Sequence, residues 1–383
     1  MAAGATITIE EATERLIDYR GKTPPKTESG VRLVTAKVVK GGQILDDPAE
    51  YIAADFYDEW MRRGLPQRLD VLLTTEAPLG EVAILRGDER IALAQRIILL
   101  RAKAGLVDPH FLFYALQSEF GQGELRARAS GTTVLGIKQS ELRRVRVPLF
   151  PLPAQRRIAA ILSAYDELIE NNQRRITILE SMARALYREW FVHFRFPGHE
   201  NHPRVASPLG EIPKGWAVSK LGEVAELHYG KALKKEYRRD GPVPVFGSSG
   251  IVGAHDESLT KGPGIIVGRK GNVGSVYWCN DDFFVIDTAY FVTSKLPLRY
   301  LYYVLPTLNF LNNDAAVPGL SRSQAYSLEI TVPPDSVLSK FCELAEAFAR
   351  QAATLAKQVQ NLRRTRDLLL PRLLSGQIDV SAA

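Results

Sequence analysis

Two stretches of the chain repeat apolar residues every three to four positions over much longer runs than an ordinary globular helix. In the first, Ile158, Ile161, Leu162, Tyr165, Leu168, Ile169, Ile176, Leu179, Leu186 and Trp190 form one stripe between Ala154 and Phe194. In the second, Phe341, Leu344, Phe348, Ala352, Leu355, Val359, Leu362, Leu369 and Leu373 do the same. About 40 residues of helix make a rod of roughly 60 Å, which outruns a small domain of about 30 Å. The flanking charges Arg156, Arg157, Glu167, Arg174, Arg175 and Arg184 suit a coiled coil. The simplest partner for each rod is the other one; two separate helices, each docked on its own domain, are the competing arrangement. Asn171 and Asn172 interrupt the first stripe at its middle. An Asn at a core position fixes register at some cost in stability, whereas an exposed pair would mark a kink.

Away from the rods the pattern is that of short strands and turns, and the second half echoes the first. Asp70-Val-Leu-Leu-Thr-Thr-Glu-Ala-Pro-Leu-Gly80 corresponds to Gly264-Ile-Ile-Val-Gly-Arg-Lys-Gly-Asn-Val-Gly274, each an apolar strand, a turn and a glycine before another strand. Phe111-Leu-Phe-Tyr-Ala-Leu116 corresponds to Tyr300-Leu-Tyr-Tyr-Val-Leu305. Val134-Leu-Gly136-Ile-Lys-Gln-Ser140 corresponds to Val317-Pro-Gly319-Leu-Ser-Arg-Ser323, and Val145-Arg-Val147-Pro148 to Ile330-Thr-Val332-Pro333. The order is the same in both halves. The expected fold is therefore α+β with a pseudo-two-fold internal repeat: two mixed α/β heads and two long helices paired as a coiled coil. The first head spans residues 1–150, the central helix 151–196, the second head 197–333, and the distal helix with its tail 334–383. The segment Pro197-Gly-His-Glu-Asn-His-Pro-Arg204 cannot continue a helix and reads as a linker.

Composition adds a direction. The 49 Lys and Arg against 43 Asp and Glu leave a net charge of +6, which favours a polyanionic partner. Two cysteines, Cys279 and Cys342, point to a reducing compartment. An opening without a basic start and apolar core, and the absence of any long apolar run, predict a soluble, cytoplasmic protein with no membrane partner.

Catalytic signatures are missing. Gly21-Lys22-Thr23 resembles the end of a phosphate loop, but Leu16 replaces the required glycine and Pro24 and Pro25 follow. His199 and His202 have no third ligand nearby in sequence, so no metal site is expected. The glycines of Phe246-Gly-Ser-Ser-Gly-Ile-Val-Gly253 lack a dinucleotide pattern, and no serine nucleophile elbow occurs. What stands in matched places is basic and polar turn chemistry. In the second half these are Lys231, Lys234, Lys235, Arg238 and Arg239, then Arg269 and Lys270; in the first, Arg20, Lys22 and Lys26, then Thr74, Thr75 and Glu76. Loop-borne Arg and Lys serve phosphates, and Arg, Lys, Thr and Glu can read base edges. The candidate DNA-binding set is Lys22, Thr75, Glu76, Lys231, Lys234, Lys235, Arg238, Arg269 and Lys270. The candidate helix-packing set is Ile158, Ile161, Tyr165, Leu168, Asn172, Leu179, Phe341, Leu344, Phe348, Leu355, Val359 and Leu362.

Over essentially its whole length the chain resembles the specificity subunit of type I restriction-modification enzymes. The residues that carry this are Tyr19-Arg-Gly-Lys-Thr-Pro24, Asp70-Val-Leu-Leu-Thr with Ala77-Pro-Leu-Gly-Glu81, and Pro151-Leu-Pro-Ala-Gln-Arg-Arg-Ile158. They continue with Leu168-Ile-Glu-Asn-Asn-Gln-Arg-Arg-Ile176, Phe246-Gly-Ser-Ser-Gly250, Gly268-Arg-Lys-Gly-Asn-Val-Gly274 and Leu370-Pro-Arg-Leu-Leu-Ser-Gly-Gln-Ile378. The resemblance implies a non-catalytic subunit whose two target recognition domains each read half of an asymmetric bipartite site in double-stranded DNA, with the two long helices packed antiparallel as a spacer and docking surface. It implies two modification subunits that use S-adenosylmethionine, and through them two restriction subunits that use ATP and Mg2+, with none of these cofactors on this chain. A coiled-coil adaptor with two protein-binding heads would share the repeat and the rods but would lack salt-dependent DNA affinity. A stand-alone DNA enzyme would need a carboxylate cluster or cofactor motif, and the sequence offers neither.

Overall fold

The computed structural model describes residues 5–19, 23–310 and 319–380. The chain divides into two compact units, residues 1–172 with 357–383 and residues 173–356, so that each long helix is shared between them.

The first unit is built on a four-stranded antiparallel sheet ordered Thr13–Asp18, Ile97–Ala102, Val71–Thr75, Leu79–Ile84. Both of its faces are covered. Val71, Leu73, Ile98 and Leu100 point into a core shared with the helices. Leu72, Ile97 and Leu99 point into a second core against a small sheet in which Val31–Val34 runs antiparallel to Tyr51–Ile52 and parallel to Ile91–Leu93. Burial on both sides explains why Val71-Leu-Leu73 is continuously apolar rather than alternating. The helix Pro109–Gln117 begins at Asp108, whose carboxylate accepts from the amides of His110 and Phe111. Strands Thr6–Thr8 and Arg146–Pro148 close the unit.

The second unit repeats this plan. Its four-stranded sheet is ordered Ala225–Tyr229, Ala289–Ser294, Gly264–Gly268, Val276–Cys279. Ile265 and Val267 enter the helix-side core while Ile266 enters the opposite one. In its small sheet Val243–Gly247 runs antiparallel to Gly250–His255 and parallel to Phe284–Val285. The aromatic helix is Leu298–Val304, and Ala217–Lys220 with Glu329–Val332 is the closing pair. The internal repeat thus extends to strand order and polarity.

The long helices are Leu152–Tyr187, of 36 residues, and Asp335–Leu374, of 40. They pair antiparallel. In the first unit Asp166 meets Arg366, Asn172 donates to Gln358 at 3.3 Å, and Ile158 and Leu162 share a core with Leu373. In the second unit Tyr187 and Trp190 pack on Phe341. Among the expected packing residues, Ile158, Asn172, Phe341, Leu355 and Val359 are buried. Tyr165, Leu179, Phe348 and Leu362 are half-buried. Ile161, Leu168 and Leu344 are less covered, at 38, 50 and 38% exposed. The expected stripe is broader than one seam; burial selects Ile158, Leu162, Ile169 and Asn172 and leaves the neighbouring face outside.

The segment after the first helix is also less free than its composition indicates. Phe196 is buried, its ring 5.4 Å from that of Trp216 and 5.3 Å from that of His202. Residues 197–204 are thereby strapped to the second unit rather than forming a loose linker. Among the described residues no helix is long and apolar enough to cross a membrane.

Candidate nucleic-acid interface

The matched turn chemistry lies at the same strand ends in both units. Register pairs Thr74 with Ile97 in one and Gly268 with Ala289 in the other, so Thr75 and Glu76 correspond to Arg269 and Lys270. A third segment clamps each end. The Ile137 amide donates to the Thr75 carbonyl at 3.0 Å, and the Leu320 amide donates to the Arg269 carbonyl at 2.9 Å. Beside these bonds, Glu76 bridges Gly136 and Lys270 bridges Gly319. Gly136 suits so close an approach: a Cβ there would sit 3.3 Å from the Cβ of Glu76. An open cleft of about 380 Å³ beside this clamp is lined by Glu76, Gln95, Ser130 and Lys138 among others.

In the first unit the two neighbours divide their roles. Thr75 is 1% exposed, its hydroxyl 3.3 Å from the Arg96 carbonyl, so it supports the strand end and cannot present itself to a base. Glu76 is about half exposed and pairs with Arg96 at 2.9 Å. Lys22 lies outside the described residues.

In the second unit the strand end is cationic. The Arg269 guanidinium stands 4.8 Å from the Tyr229 ring centre and that of Arg322 stands 4.5 Å from it. Tyr229 is 47% exposed. A hydrogen bond with Tyr290, then the charges of Arg322 and Arg269, hold its phenol below the ordinary value, while burial pushes that of Tyr290 up to about 12. Lys270 faces Asp287 at 3.8 Å. Arg322 escaped the charge-cluster reading because it stands alone in sequence. Its signal was positional: it follows Gly319 by three residues, as Gln139 follows Gly136.

The basic run after Tyr229 is less uniform than its composition. Lys231, Lys234 and Lys235 are exposed, Lys234 lying 3.9 Å from Glu236. Arg238 turns inward, donating to the Val252 carbonyl at 2.6 Å, and fastens the loop to its sheet instead of facing a ligand. Arg239 is neutralised by Asp256 at 2.7 Å and Glu257 at 2.6 Å. The outward charge of this loop is therefore carried by its three lysines.

The family model for the type I restriction modification DNA specificity domain matches residues 64–181 and again 213–360. The type I restriction enzyme MjaIX specificity subunit of Methanocaldococcus jannaschii is 28% identical over 339 residues, covering 81% of this chain and 78% of that protein. The putative MjaX specificity subunit of the same organism is 24% identical over 349 residues, covering 80% and 77%. The crystal structure of the type I restriction-modification system S subunit from M. genitalium superposes with a TM-score of 0.63 at 19% identity, covering 96% of this chain and 95% of that one. These matches give no support to a protein-binding adaptor. With two matched copies of one domain covering most of the chain, and the same topology in each unit, this protein belongs to the type I restriction-modification DNA specificity family.

Proposed function

We propose that the chain is the sequence-reading, non-catalytic subunit of a type I complex and recognises an asymmetric bipartite site in double-stranded DNA. One half is read by the head of the first unit and the other by the head of the second. The observation that carries this is the duplicated strand-end clamp beside which unlike side chains are presented: Glu76 in one copy, Arg269 and Lys270 in the other. One scaffold presenting different hydrogen-bonding groups suits two different half-sites.

The long helices serve as spacer and docking surface. At about 1.5 Å per residue, 36 and 40 residues make rods of about 54 and 60 Å, longer than one B-DNA turn of about 34 Å, so an unread gap separates the half-sites. The outward apolar residues Ile161 and Leu168 in the first unit, and Ile178 and Met182 in the second, suit two modification subunits. S-adenosylmethionine is then bound by those subunits, and ATP and Mg2+ by restriction subunits attached through them.

The test is to co-express the chain with its genomic modification subunit and map methylated sites. Exchanging residues 213–333 for those of a relative should change one half-site and leave the other. An unchanged pair of half-sites would overturn the reading. Removing matched whole turns from both long helices should shorten the gap.

A further inference from the structure

Each unit carries an ion pair at the clamped strand end, and its polarity is reversed between the two. In the first, Glu76 follows the strand Val71–Thr75 and meets Arg96 at 2.9 Å, just before the strand Ile97–Ala102. In the second, Lys270 occupies the position of Glu76, and Asp287, one residue earlier in register than the counterpart of Arg96, meets it at 3.8 Å. The anion is thus on the clamped turn in one unit and the cation in the other.

Packing does not explain this arrangement. All four side chains are about half exposed, at 46 to 53%, and ion pairs that open to solvent contribute little to folding. What is rigid is the backbone beneath them. Glu76 and Lys270 are fixed by a bridge to a glycine and by a neighbouring amide–carbonyl bond of 2.9–3.0 Å, while the side chains stay able to exchange partners. A carboxylate accepts from the exocyclic amino group of cytosine, and an ammonium donates to O6 and N7 of guanine. Each pair therefore holds one acceptor and one donor, which is what a C·G pair requires, and reversing the polarity reverses which group the turn presents.

We propose that Glu76 with Arg96, and Lys270 with Asp287, each read one base pair of a half-site, the ion pair opening onto the base edges. Glu76 takes an amino donor in the first half-site, and Lys270 gives to a purine acceptor in the second. This assignment rests on the bipartite reading above.

The test uses the full chain in complex with its modification subunits and a library of randomised duplexes, scoring the base preference at every position of the methylated sites. Glu76→Gln should lower the preference at one position of the first half-site about tenfold to a hundredfold and leave the second half-site intact. Lys270→Gln should do the same in the second half-site alone. Glu76→Lys should change the favoured base at its position from one offering an amino group to one offering acceptors. Unchanged profiles, or an even loss at all positions, would overturn the assignment. A wild-type profile without two half-sites would instead overturn the bipartite reading, so the two failures are distinguishable. Melting temperatures matching wild type identify altered preference as recognition; a variant that melts early with an unchanged profile counts against the assignment.

Discussion

Asp166 ties three elements of the first unit together, and removing its carboxylate should loosen all three. Tyr114, on the aromatic helix of the head, donates to Asp166 Oδ2 at 2.6 Å, and Arg366, on the second long helix, donates to Oδ1 at 2.5 Å. Burial and the neighbouring Asp166 charge push the Tyr114 phenol well above its ordinary value, so it remains a donor throughout the neutral range. Hydrogen bonds to charged groups contribute about 1.5–3 kcal/mol each, and breaking a buried ion pair costs about 3–5 kcal/mol. The Asp166 and Arg366 side chains are 13 and 26% exposed, and Arg366 keeps Asp367 at 2.8 Å. Solvent screening and that remaining partner place Asp166→Ala at about 2–3 kcal/mol. Hydrogen exchange followed by mass spectrometry reads this locally: amides in peptides from 109–117, 157–170 and 360–374 should exchange about 30- to 150-fold faster, since about 1.4 kcal/mol is a factor of ten. Combining it with Arg366→Ala should cost less than the sum of the single changes, by about 1–2 kcal/mol. Exchange within twofold of wild type in all three peptides, or strict additivity with Arg366→Ala, would refute the tie.

Three further outcomes follow from particular contacts. Tyr229 has a folded pKa below its unfolded value near 10, so its ionisation favours the fold; that contribution is complete above the unfolded value and is lost as pH falls through the folded one. In a phenolate absorbance titration Tyr229→Phe should therefore remove an early-ionising phenol, and Tyr290→Phe should delay Tyr229 more than Arg269→Ala or Arg322→Ala does. Ile161→Lys with Leu168→Lys should change chain stability by no more than about 1 kcal/mol per site, because both are partly exposed, at 38 and 50%, and a lysine stem lets its ammonium reach water. The same double variant should lose co-purification with the modification subunit, while retained co-purification would reject that docking face. Thr75→Val should cost about 1 kcal/mol through its lost bond to the Arg96 carbonyl and leave base preferences unaltered in the methylation assay.

Much of the architecture was legible because the repeat and the periodicity are both one-dimensional signals. Matching Val71-Leu-Leu73 to Ile265-Ile-Val267, and each aromatic helix to the other, located strands that the structure pairs in the same order. The helix stripes disclosed two rods but could not select the seam. At 3.6 residues per turn Ile158, Ile161, Leu162 and Tyr165 all lie on neighbouring faces, and only the facing helix decides that Leu162 is buried and Ile161 is not. Composition was weakest at the strand ends. Thr75 and Glu76 are adjacent in sequence, yet Thr75 is the last residue of a strand buried on both faces, while Glu76 stands past its end and is about half exposed. Arg238 and Arg239 look like Lys234 and Lys235 in a string, but intramolecular acceptors that lie 14 to 18 residues further on claim both of them.

The duplicated design separates positioning from reading. Positioning is done by backbone: the amides of Ile137 and Leu320, the bridges to Gly136 and Gly319, and sheets covered on both faces hold the strand ends. These contacts are indifferent to which side chain leaves the turn, so residues such as Glu76 and Lys270 can differ completely without disturbing the fold. Each head is then pinned to the long helix that follows it in sequence, Tyr114 to Asp166 in the first unit and Arg299 to Glu346, at 2.9 Å, in the second. Arg299 is further held 3.6 Å over the ring of Trp278, on an edge strand of its sheet. Sheet, head and helix are thereby locked by groups remote from the clamped turn. A change of recognised base needs new chemistry only at the turn, whereas a change of spacing needs whole helical turns. The two kinds of specificity are thus encoded in different elements, the clamped turns and the long helices, and their mutational effects should add.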